Sequence, residues 1–171
     1  MLTKEQVLKY LRQLGDELDA LGMSGEILLT EGAALCLVHD ARDMTKDIDA
    51  LYEPKDVINI IAAKIAEREN LPPDWLNDSV KGFMGTNAPI EEVIAWKGLK
   101  IQTVSAEYLL AMKMMSARYG EKDYEDILFL MNKLGITTSE RAIKTLLAFF
   151  PKNRILPKTQ YVIEEIIEQM K

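Results

Sequence analysis

The chain has 171 residues, 48% of them apolar, which is enough to bury a substantial core within the usual size of one domain. Its formal charge of −6 argues against a protein that grips nucleic acid through bulk electrostatics, although a local site for a nucleotide or structured RNA stays open. A single cysteine, Cys36, excludes an internal disulfide, and its apolar neighbours mark it as a buried, reduced thiol.

Charged residues at the N-terminus precede any apolar stretch, so no signal peptide is expected. No uncharged apolar run approaches the about 18 residues a membrane span needs, and the reading is a soluble, cytoplasmic protein with no membrane partner. Thr3 followed by Val7, Leu8, Leu11, Leu14, Leu18 and Leu21 predicts a capped amphipathic helix ending near Gly22. Residues 26–30 then read as a short buried strand, closed by Glu31-Gly32, with a short helix over 33–38 packed on it. His39 follows that helix as a C-terminal cap.

The next strand, 47–52, carries Asp47 and Asp49. Pro54 stops it, and Val57, Ile58, Ile60, Ile61, Ile65 and Ala66 form the apolar face of a long helix. Pro72 and Pro73 break the pattern before a segment in which Asp74 caps a short helical turn, and residues 82–90 read as a loop. Two strands, 93–96 and 100–104, flank Lys97-Gly98 as a hairpin. Four helices follow, about 105–119, 121–134, 138–149 and 158–170, with no repeat. The expected class is α+β: a small mixed sheet flanked by helices, with a helical C-terminal half. Residues 1–104 form the α/β core, and residues 105–171 pack on it in a single compact unit.

The acidic strand is the strongest chemical signal. Ile48 separates Asp47 from Asp49, so on a strand both point to one face with Cα atoms roughly 6 to 7 Å apart. Two carboxylates there repel unless a hard cation such as Mg²⁺ lies between them. Gly32, separated from Asp47 by fourteen residues, lets the backbone approach a phosphate, and the helix after it offers free N–H groups. Turn and acids together suit phosphoryl or nucleotidyl transfer.

Leu29-Thr30-Glu31-Gly32-Ala33-Ala34-Leu35, followed by Arg42-x-x-Thr45-x-Asp47-Ile48-Asp49, resembles the signature of DNA polymerase β-like nucleotidyltransferases. Within that superfamily it is similar to the branch of minimal nucleotidyltransferases and abortive-infection toxins. Ser105 to Lys113, then Arg118 and Lys122-Asp123-x-x-Asp126, resembles the helical motifs of the same branch, and Asp74-Trp75-Leu76-Asn77-Asp78 resembles an element of its uncharacterised bacterial members. The resemblance spans roughly residues 26 to 134. It implies a nucleotidyltransferase fold; Asp47 and Asp49 as catalytic ligands of Mg²⁺ or Mn²⁺; Gly32, Ala33, Arg42 and Thr45 around a nucleoside triphosphate; and Lys113 as a catalytic cation with Asp123 and Asp126 in support. It further implies transfer of a nucleoside monophosphate to an acceptor hydroxyl on a protein, a tRNA or a small molecule, with an antitoxin as a further partner.

Two departures from the pattern are visible. The family turn carries Gly-Gly or Gly-Ser where this chain has Glu31-Gly32-Ala33, and the strand that usually bears a third carboxylate holds Gln102 and no acid. Glu91 or Glu92, on the preceding strand, is the available substitute. The alternative is therefore a catalytically degenerate fold that binds a nucleotide or a protein. Other residues carry competing readings. Lys113 either snorkels to solvent or meets an acidic partner. Asp123 and Asp126 share a helix face and clamp Arg118, Lys122 or Lys113. Trp75 and Trp96 could stack a base but read first as core or lid residues, Met112, Met114 and Met115 are packing, and Lys97, Lys100 and Arg118 could form a local basic patch.

Overall fold

A computed structural model describes residues 1–84, 87–117 and 123–171. Contacts divide the chain into two units, Met1–Gly82 with Ile90–Val104, and Phe83–Pro89 with Ser105–Lys171. The first is α+β and built on a five-stranded mixed sheet; the second is helical.

In the first unit, β1 (Leu2–Thr3) leads into α1 (Lys4–Ala20), whose start is fixed by a reciprocal cap. The Gln6 N–H donates to Thr3 Oγ1, and the Thr3 N–H donates to Gln6 Oε1, so two end groups are satisfied at once. Val7, Leu11, Leu14 and Leu18 recur at helical spacing and are wholly buried. Then come β2 (Gly25–Leu29), α2 (Glu31–Leu37), β3 (Met44–Thr45), β4 (Ile48–Glu53), α3 (Lys55–Glu69), β5 (Leu76–Asn77), β6 (Ile90–Trp96) and β7 (Leu99–Val104). The sheet order is β5-β4-β2-β7-β6. The β2–β7 and β4–β5 pairs are parallel, the β2–β4 and β6–β7 pairs are antiparallel, and β1 pairs with β3 in a separate two-stranded ladder.

The Lys97-Gly98 hairpin forms for a physical reason seen at Gly98. Its φ is +85°, and a Cβ there would lie 2.3 Å from the Gly15 carbonyl oxygen, so α1 seats directly on the turn. The segment after Pro73 differs from the sequence expectation, as do the short strands β1 and β3 and the start of β6 at Ile90, inside the stretch expected to be a loop. Asp74 starts no helical turn; the segment runs from a turn into β5, because Leu76 and Asn77 find an open edge beside β4, with Ile48 opposite Leu76 and Asp49 opposite Asn77. Trp75 anchors the segment, fully buried, donating its indole N–H to the Ala62 carbonyl and meeting Tyr10 edge-on at 5.7 Å. Cys36 is buried and free, and burial pushes its thiol pKa up.

The second unit holds α4 (Ala106–Ser116), α5 (Asp123–Leu134), α6 (Ser139–Leu147) and α7 (Pro157–Gln169). Ser105 caps α4 by accepting from the Tyr108 N–H, and Thr138 caps α6 by accepting from the Arg141 N–H. Tyr108 packs between Phe149, edge-on at 5.0 Å, and Phe150, stacked at 6.2 Å. Met112 and Met114 are buried in this core, as packing residues should be. No helix among the described residues is long and apolar enough to cross a membrane.

Candidate functional site

The acids sit where β4 begins. The strand starts at Ile48, one residue after Asp47, and its burial alternates: Ile48, Ala50 and Tyr52 point into the core, while Asp49 is half-buried on the other side. Asp47 has the same parity and the same half-buried environment. The two carboxylates sense each other. The Asp47 pKa is raised above the ordinary aspartate value, first by desolvation and then by the charge of Asp49, with Asp74 adding to the rise and Lys46 opposing it.

Two buried threonines hold the backbone on which these acids stand. Thr30, at the end of β2, gives both its N–H (3.1 Å) and its hydroxyl (3.0 Å) to the Asp49 carbonyl. Thr45 gives its hydroxyl to the Asp47 carbonyl at 2.9 Å. Donors that are almost wholly buried leave the acid backbone little freedom.

The glycine turn meets this ladder. A Cβ built on Gly32 would lie 2.8 Å from Thr45 Oγ1 and 3.3 Å from Arg42 Nη1, so Gly32, Arg42 and Thr45 converge on one spot that only a residue without a side chain fits. Ala33 is placed differently: it is fully buried, and its methyl belongs to the core. Glu31 adopts φ +51°, the left-handed conformation that a glycine would take without strain.

A second group of polar residues reaches Asp49 from β5. Because Asn77 lies opposite Asp49, the chain beyond it carries Ser79 to the carboxylate, with Ser79 Oγ 3.0 Å from Asp49 Oδ1 and 2.6 Å from Asn77 Oδ1. The Ser79 N–H also donates to Asn77 Oδ1, and Asn77 Nδ2 donates to the Asp74 carbonyl. One hydroxyl proton serves one acceptor at a time, so Ser79 is shared between Asp49 and Asn77. Neither Ser79 nor Thr30 stands out in the sequence as a site residue. The signal for Ser79 is an Asn-x-Ser turn that closes the Asp74–Asp78 segment.

Glu91 and Glu92 do not supply the third carboxylate. They lie on β6, the far edge strand, opposite Thr103 and Gln102, with β7 and β2 between them and β4. Three strand spacings amount to about 14 Å, far beyond the few ångströms of a shared ligand set. Among the described residues no group of three or more His, Cys, Asp or Glu side chains is placed to hold a metal.

In the second unit, Lys113 does not snorkel. Its side chain is 8% exposed, and its Nζ lies 2.8 Å from Asp123 Oδ1 and 3.3 Å from Asp126 Oδ2. Asp123 and Asp126 therefore clamp Lys113; Arg118 and Lys122 lie outside the described residues. The suggested basic patch is not formed by Lys97 and Lys100, because each is answered by a carboxylate, Lys97 by Asp19 at 3.1 Å and Lys100 by Glu26 at 3.1 Å. Family models, curated proteins and solved structures were compared with the chain, and none matches.

Proposed function

We propose that the chain is a nucleotidyltransferase-fold protein that binds a nucleoside triphosphate with Mg²⁺ or Mn²⁺ at Gly32, Arg42, Thr45, Asp47 and Asp49, and transfers the nucleoside monophosphate to an acceptor hydroxyl. The observation that carries this reading is the acid pair itself. Two neighbouring half-buried carboxylates raise the pKa of one of them, and no ion pair among the described residues neutralises either. Their hard oxygens fit a hard divalent cation, and a set of only two carboxylates leaves coordination positions for phosphate oxygens and water. Such an ion, when bound, neutralises charge on the phosphates.

The residues of the chain do the remaining work in this reading. Gly32 lets the Thr45 hydroxyl and the Arg42 guanidinium close onto the turn, which brings a cation beside the place proposed for the phosphates, and Thr45 and Thr30 keep Asp47 and Asp49 from turning away. The acceptor oxygen gives up its proton to solvent and forms a bond to the α-phosphorus, the bond from that phosphorus to the bridging oxygen breaks, and pyrophosphate leaves with the electron pair. The acceptor is a hydroxyl of a protein, a tRNA or a small molecule, and a toxin neutralised by an antitoxin is a biological role compatible with this chemistry.

A second reading, nucleotide or protein binding without turnover, is favoured by a specific observation: no third carboxylate joins the pair among the described residues. One experiment separates the two. Purified protein is incubated with each labelled nucleoside triphosphate, Mg²⁺ or Mn²⁺, and a cell extract, beside an Asp47→Asn, Asp49→Asn variant. Label transferred by the wild type and lost in the variant is the result expected of the enzyme. Metal-dependent nucleotide binding by calorimetry without transfer selects the binding module, and absence of both overturns both readings.

A further inference from the structure

The chain separates its charges in a way the net value hides. Residues 141–163 contain five of the 21 Lys and Arg (Arg141, Lys144, Lys152, Arg154 and Lys158) and none of the 27 Asp and Glu. Arg141 is engaged at the start of α6, where its guanidinium donates to the Gly135 carbonyl at 2.9 Å. The other four lie at the last turn of α6, in the link from α6 to α7, and in the first turn of α7, two helices that touch each other. All four are exposed, and none is in an ion pair among the described residues.

Three further features prepare this corner for phosphate. Arg154 lies over the Phe150 ring at 5.9 Å, which holds its guanidinium plane in place with its N–H fork available. The first turn of α7 has no acidic residue and no side-chain cap, so the positive end of a 13-residue helix adds to Lys158. Tyr161, one turn after Lys158 and on the same side of α7, is 71% exposed. Cations that track a backbone beside an open aromatic ring form the arrangement that holds a single nucleic-acid strand.

We propose that Lys144, Lys152, Arg154 and Lys158, with Tyr161, form a docking surface for a single-stranded nucleic acid, its phosphates on the cations and a base on the tyrosine ring. The proposal is independent of the nucleotide reading of Asp47 and Asp49, and its test needs no metal and no turnover. An acidic protein is the competing partner; unlike a nucleic-acid strand, it offers no base for Tyr161 and no phosphate for the Arg154 fork.

Binding of the full chain to a fluorescent single-stranded RNA of about 12 nucleotides is measured by anisotropy in EDTA across a salt series. With four phosphate contacts, log K is expected to fall against log salt with a slope of about −3. Lys152→Glu with Arg154→Glu should weaken binding at least about tenfold at low salt and lower the magnitude of the slope by roughly one to two. Tyr161→Ala should weaken it by about fivefold or more at any salt concentration. Lys97→Glu with Lys100→Glu, which changes the net charge equally on cations already paired, should change it less than about threefold. The proposal is overturned by any of three results: no binding at low salt, equal losses from the two charge reversals, or a poly-glutamate peptide of matched charge binding as tightly as the RNA. All substituted side chains are exposed or half-buried at the surface, and circular dichroism verifies that each variant is folded.

Discussion

In the α/β unit, cation after cation is answered by a carboxylate at the surface: Lys4 by Asp40, Lys9 by Glu69, Arg12 by Asp16, Lys55 by Asp78, Arg68 by Glu17, Lys97 by Asp19 and Lys100 by Glu26. The helical unit does the opposite. It buries one lysine between two aspartates and leaves Lys144, Lys152, Arg154 and Lys158 at one corner without a described carboxylate. Charge that is answered within the fold holds the fold, and charge left unanswered by its neighbours is available to a ligand. By that criterion the α/β unit has its own exception, of opposite sign, in Asp47 and Asp49.

The contrast is broken most severely at Lys113. Replacing it with alanine leaves Asp126, which is 5% exposed, and Asp123 without the ammonium that compensates them, at a cost of about 3–5 kcal/mol in urea denaturation. Exchanging Lys113, Asp123 and Asp126 together for apolar residues of similar volume should recover most of that loss. If the triple variant regains stability and the protein transfers nucleotide only with Lys113 present, the lysine has a part in the chemistry beyond the clamp.

The next effects sharpen the acidic exception. Gly32→Ala places a methyl 2.8 Å from Thr45 Oγ1 and should cost about 1–3 kcal/mol while weakening nucleotide binding by calorimetry. Ser79→Ala removes the hydroxyl that reaches Asp49 Oδ1 and should weaken Mn²⁺ binding about 10- to 100-fold with little change in the folded fraction. Unchanged Mn²⁺ affinity would leave Ser79 as part of the Asn77 turn alone. Lys97→Ala and Lys100→Ala, by contrast, break exposed pairs and should each shift stability by about 0–1 kcal/mol, with the smaller value in high salt.

What the sequence made legible follows the range of the forces involved. Local signals came through: the Thr3 cap, the Gly98 turn, the apolar stripe of α1, and an aspartate pair three residues apart that reaches Lys113. Pairings between distant segments did not. β5 has two residues and exists only because β4 offers it an edge, so Asp74 reads locally as a helix start, and the Asn77-x-Ser79 turn gives no hint that it reaches Asp49. The placement of β6 three strands from β4 is likewise a matter of sheet order, which no local pattern carries, and it is this order that removes Glu91 and Glu92 from the acid pair. The basic corner is readable as an acid-free run, yet the net charge of −6 points away from it.

The smallest expected effect bears most directly on the acid pair. Because desolvation and Asp49 raise the Asp47 pKa above its unfolded value, the folded state holds that proton more tightly than the unfolded chain does. The contribution to stability is therefore fully present below the ordinary aspartate value and is lost as pH rises through the folded value. At pH 7 the ionised Asp47 destabilises the fold, so Asp47→Asn should raise the Tm there by an amount on the order of 1–2 °C, and the gain should vanish at about pH 3. Saturating Mg²⁺ should raise the Tm of the wild type at about pH 7 by relieving the same repulsion, and Asp47→Asn should reduce that response. A variant that loses stability at neutral pH, or that keeps the full Mg²⁺ response, would mean that Asp47 is already neutralised within the fold, and the contrast between answered and unanswered charge would fail where it matters most.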